Sequence, residues 1–204
     1  MKARPRAPAH LLDVLADGPA FVAAPEMERW IFETFIDEGS PLENPDHAHL
    51  RDARIGVLWT SVPNGKHGRT IVGQAQLCGA GGSDKWAKGK AEQQQAEWFG
   101  EIPDFIITLF APYADPANDA TFCALVEHEL SHCAQERDEF GAPKFTRSGP
   151  SFCMRGHDVE EFIGVVRRYG ADAAGVRALV DAAAEGPTIA AADIGFACGN
   201  CLKH

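Results

Sequence analysis

A chain of 204 residues is long enough to bury one substantial core, with a small appendage at most. Hydrophobic residues make up 45% and charged residues 24%, the balance of an ordinary globular protein, and the formal net charge of -10 argues against a nucleic-acid partner, which calls for a basic surface. No apolar run approaches the ~20 residues of a membrane-spanning helix, and "HLLDVLA" is too short and too polar for a signal-peptide core, so the expected location is cytoplasmic with no membrane partner. Six cysteines are too sparse for a disulfide scaffold; a reducing compartment would keep them as thiols or metal ligands.

Residues 1–24, rich in Ala, Pro and Arg, read as a loosely ordered leader, and residues 25–204 as one domain with a C-x-x-C tail over 187–204. In "PEMERWIFETFIDE", Met27, Trp30, Ile31 and Phe35 recur at helical spacing; Pro25 favours the first turn and Gly39 the stop. A polar connection, "NPDHAHLRDA", precedes two β-rich segments, "RIGVLWTSV" and "RTIVGQAQL", on either side of the turn cluster "PNGKHG". The stretch "SDKWAKGKAEQQQAEWFG" reads as a helix closed by Gly100, and "PDFIITLFAPY" as a third strand, either at a sheet edge or inside it. A helix follows from near residue 119 to about residue 140, stopped by Gly141 and Pro143. After a long loop or irregular hairpin, "KFTRSGPSFCMRG", a helix opens at "HDVEEF" with Asp158 as N-cap and Glu161 completing a capping-box-like pair, and "DAAGVRALVDAAAEG" forms the last helix. No repeat interrupts this order, so the expected fold is one α+β domain.

The helix over 119–140 carries "HELSH". Positions i and i+4 share one stripe of a helix, so His128 and His132 project together and suit one Zn2+. Glu129 leans to the same side, placed to take a proton from water held at the metal rather than to bind the metal. Phe122, Val126, Leu130 and Cys133 form an apolar face that ties the helix to the core.

Three candidates compete for the third ligand. Asp138 stands ten residues after His128, a spacing that needs a sharp turn, yet Gln135 occupies the position where glycine would make it. Glu160 or Glu161 offers a carboxylate from the following helix. His157, preceded by the flexible Gly156, offers an imidazole, the commonest neutral ligand, and three histidines leave the site a net +2 charge that would acidify bound water strongly. His157 is the favoured choice, leaving Asp158, Glu160 and Glu161 as groups that orient a ligand imidazole.

The segments "DHAHLRDARIGVLWT", "KWAKGKAEQQQAEWFGEIPDFIITL", "CALVEHELSHCAQERDEFG", "GHDVEEFIGVVRRYG" and "ACGNC" resemble, in this order, the phage metallopeptidase family, a zincin-like group of phages and prophages. The resemblance covers roughly residues 25–201 and extends distantly to the SprT- and YgjP-like zincins. It implies a small mainly antiparallel or mixed sheet packed on the active-site helix, a downstream histidine ligand, a bacterial host cytoplasm, and a peptide or protein substrate.

The leading expectation is zinc-dependent peptide hydrolysis with Glu129 as general base; the alternative is a phage-encoded zinc-binding effector that binds a host protein without cutting it. Tyr113, Arg167, Arg168 and Tyr169 are candidate oxyanion stabilisers. Cys198 and Cys201 fit half of a second zinc site completed by Cys153, Cys78 or His204, a redox pair, or plain terminal thiols. His47 and His49, alternating in a polar loop, read as surface or structural residues with a substrate-side role left open.

Overall fold

The computed structural model describes residues 2–15, 17–66, 69–79, 84–147, 149–159, 163–172, 175–190 and 192. Glu160, Glu161, Cys198, Cys201 and His204 lie outside the described residues. The fold is mixed α+β, as expected.

A four-stranded sheet runs in the order β1 (Phe21–Ala23), β2 (Ile55–Thr60), β6 (Phe105–Phe110), β5 (Gly73–Leu77). Strands β1 and β2 are antiparallel, β2 and β6 parallel, and β5 and β6 antiparallel. "FIITLF" is therefore an interior strand, and among the described residues β5 is the edge strand beside it. The "RTIVGQAQL" segment breaks at Val72: β3 (Asn64–Lys66) pairs with β4 (Arg69–Ile71) in a separate ribbon before β5 joins the main sheet.

Every residue of β2 is buried because helices cover both faces. On the outer face lies α2 (Lys85–Phe99), capped by Asp84 and closed by left-handed Gly100. Its Phe99 ring fills the space over Gly56, where a Cβ would stand 2.7 Å from Cζ. On the inner face lies α4 (Asp119–His132), whose Phe122 stacks on Trp59 with ring centroids 6.1 Å apart. Trp30, on α1 (Pro25–Ile31), packs on the same phenyl ring at 5.7 Å. A π-helical turn, Phe32–Ile36, continues α1 and buries Phe35 and Ile36. Between β6 and α4 a single turn, α3 (Ala111–Ala114), buries both of its alanines.

Helix α4 is shorter than its composition suggests. It stops at His132, and Cys133–Gln135 become β7, which pairs antiparallel with β10 (Phe152–Met154). The helix ends because tertiary donors take its last carbonyls: Arg155 N–H donates to His132 O, and His49 Nε2–H donates to Cys133 O at 2.9 Å. A two-residue ribbon, β8 (Phe145–Thr146) with β9 (Gly149–Pro150), fills the intervening loop. Helices α5 (Ile163–Tyr169) and α6 (Arg177–Glu185) follow.

Residues within the expected leader lie along the body. The Arg4 guanidinium bonds the carbonyls of Ala114, Asp115 and Ala117, pairs with Asp119 and covers the Phe122 ring at 4.3 Å. Among the described residues no helix is long and apolar enough to cross a membrane.

Candidate metal centre

The N-cap of α4 is Asn118, whose side chain accepts from Thr121 N–H, and from there the helix buries Phe122, Leu125, Val126, Glu129 and Leu130 against the sheet. That orientation turns His128 and His132 towards the open end of the helix. His132 is 3% exposed, while His128 is half-buried.

The β7–β10 ladder brings in the third imidazole. Its register pairs Met154 with Cys133, and the Arg155 N–H to His132 O bond carries it one residue further. Two residues on, the chain turns His157 over the end of α4. The three rings then face one another with centroids 5.0, 5.1 and 5.2 Å apart. One donor atom from each lies within 4.8 Å of the others, and His157 Nε2 approaches His128 Nε2 to 3.4 Å.

The donor set suits a divalent cation. A carbonyl only accepts, so His132 Nδ1 carries the proton it donates to Arg155 O at 2.8 Å, and Nε2 presents its lone pair to the cluster. Burial, then the neighbouring His132 and His157, push the His128 imidazole down to about 4, so the ring is neutral at pH 7. Three imidazole nitrogens brought this close together match the ligand chemistry of zinc.

Glu129 lies on the sheet side of the triad, 0% exposed. Its Oε2 accepts from the outward-pointing amide of Ala75 on β5 at 2.8 Å. A cavity of about 260 Å3 opens over the histidines, bounded by Asp46, Ser131, Arg155, Gly156 and Asp158.

The remaining expected residues are placed elsewhere. Asp138 accepts the amides of Phe140 and Ala142 in a turn, away from the triad. Asp158 pairs with the Arg155 guanidinium; the ring of His132 is oriented by a backbone carbonyl instead. Tyr113 packs against the core, and Arg168 covers the Tyr169 ring at 5.5 Å on α5. Neither these three nor Arg167 is among the described residues bounding the cavity. His49 closes the end of α4 and His47 is 2% exposed, so both are built into the fold rather than lying on its surface. Burial pushes the Cys78 thiol up to about 12 and that of Cys123 up to about 11, which keeps both protonated and unreactive.

Sequence reasoning did not find Arg155 or the β5 seat of Glu129. Arg155 acts on His132 through its carbonyl, which every residue type possesses, and the seat is a contact between segments 54 residues apart.

A family model described as "Putative phage metallopeptidase" matches residues 28–184. The chain belongs to this family. The matched span includes His128, Glu129, His132 and His157, and excludes both the Arg4 contacts and the Cys198–Cys201 pair. Neither a curated protein nor a solved structure matches the chain. Membership of this metallopeptidase family implies a metal ion and a peptide or protein substrate.

Proposed function

We propose that the protein is a zinc-dependent metallopeptidase in which His128, His132 and His157 hold the metal and Glu129 is the general base. The observation that carries the reading is the convergence of three imidazoles beside a buried glutamate, on the helix that the family match spans. Zinc bound by three neutral ligands would polarise a peptide carbonyl and make water acidic enough to lose a proton near neutral pH.

The chain's own residues supply the rest. His132 is locked in one tautomer by Arg155 O, which points a lone pair inward. Glu129 accepts the proton released by water and returns it to the departing amine, leaving an amine and a carboxylate. Its burial keeps competing water away and makes the carboxylate a stronger electrostatic partner than it would be in solvent. Zinc is favoured over magnesium or calcium because the donors are nitrogens rather than carboxylate oxygens.

Replacing Glu129 by Gln tests the assignment. Glu129→Gln is expected to bind one equivalent of zinc like the wild type while peptide hydrolysis falls by at least 10²-fold, the scale of general acid–base catalysis. A variant with equal zinc and equal activity removes Glu129 from the mechanism. A wild type that binds zinc and cuts no peptide in a broad library favours a non-hydrolytic zinc-binding effector.

A further inference from the structure

We propose that Gly73 is a positioning residue for Glu129, seating its carboxylate between the edge strand β5 and helix α4. The proposal rests on the reading of Glu129 as the base.

The alternation of β5 dictates the arrangement. Phe110 N–H bonds Val72 O and Cys78 N–H bonds Asp104 O, so the even-numbered main-chain groups face β6. The odd-numbered groups face away from β6, and the Ala75 amide there donates to Glu129 Oε2. In the register of the sheet, Gly73 and Ala75 stand opposite Leu109 and Ile107, both buried in the core beneath α4. Gly73 and Ala75 thus direct their Cβ positions at the helix, and both are the smallest residues available.

At Gly73 this smallness is required. A Cβ built there would lie 2.7 Å from Glu129 Oε1, 3.2 Å from Cδ of the same carboxyl and 3.0 Å from Leu125 Cδ1. The backbone at Gly73 is not in the left-handed region, so alanine is compatible with the strand itself. The atoms that must yield are the ends of two side chains, above all the carboxylate. A methyl group at position 73 therefore moves the base and leaves the fold in place. Because the Ala75 amide is already committed to Glu129, β5 acts as a clamp on the base at this point of its edge.

The test uses the full chain in two states. In metal-free protein, amide exchange at Ala75 reads the seat without any turnover, with Glu129→Ala as the positive control. Gly73→Ala is expected to speed that exchange about tenfold or more, the equilibrium equivalent of losing a hydrogen bond to a charged group, with zinc stoichiometry unchanged and the melting temperature lowered by only about 3–6 °C. In zinc-loaded protein, Gly73→Ala is expected to lower kcat by about 10²-fold with KM near wild type, the scale of a 1 Å misplacement. The double variant Gly73→Ala/Glu129→Asp should lose less than the product of the single losses, because the shorter acid leaves room for the methyl group. Unchanged Ala75 exchange or unchanged kcat in Gly73→Ala overturns the proposal, as does loss of zinc binding or of the folded state. If exchange responds as expected while wild type cuts no peptide, the seat stands and the hydrolase reading fails.

Discussion

His157 is the most exposed member of the triad, and the ladder behind it brings its ring against those of His128 and His132. His157→Ala is expected to weaken zinc binding by more than the 10–100-fold typical of removing a supporting hydrogen bond, without changing the far-UV circular dichroism. Competition with a chromophoric chelator measures it. At this scale the side-by-side placement of His128 and His132 was legible in the sequence, because it depends on side chains at a fixed helical spacing. The sequence was silent where a main-chain atom or the lack of a side chain shapes the site, as at Arg155 O, the Ala75 amide and Gly73.

Among the elements, helix α4 departs most from its sequence pattern, which continues to about residue 140 while the helix ends at His132. Local propensity lost to tertiary donors: His49 and Arg155 take the carbonyls that another turn would have used. The early end has a geometric consequence, because β7 then forms the ladder that brings His157 to the end of α4. Strand β6 was legible as a strand but not as an interior one, since an apolar run does not say which neighbour it acquires. His47 gives this region a pH signature. Burial, with His49 and Arg155 adding to it against Asp46, lowers its imidazole to about 4 from the ordinary 6.5. The unfolded chain thus takes up a proton first as pH falls through about 6.5, and the folded protein follows only near 4. Stability contributed by the neutral ring is present above the unfolded value and drains away on acidification between the two, by up to about 1.4 kcal/mol per pH unit. Denaturant melts of metal-free His47→Gln should be flatter across that window than those of wild type.

Across the whole molecule, the site is built where the sheet edge, α4 and the β7–β10 ladder meet, and the Arg4 contacts fasten the opposite end of α4. Composition suggested a loose leader because it counts Ala, Pro and Arg without knowing that one Arg finds three carbonyls and an aromatic face. Arg4→Ala should cost about 2–4 kcal/mol, from lost hydrogen bonds to a charged group and a lost cation–π contact, measured by chemical denaturation of the zinc-loaded protein. Chelating zinc should lower the melting temperature by about 5–10 °C, as expected when a ligand at about 100 times its Kd is withdrawn from a domain of this size. The most direct measurement of the metal centre is X-ray absorption at the zinc edge on protein loaded with one equivalent. Three imidazole nitrogens at about 2.0–2.1 Å with one further light atom, falling to two imidazole nitrogens in His157→Ala, is the predicted result. Sulfur scattering at about 2.3 Å would place the zinc on cysteines and contradict the account.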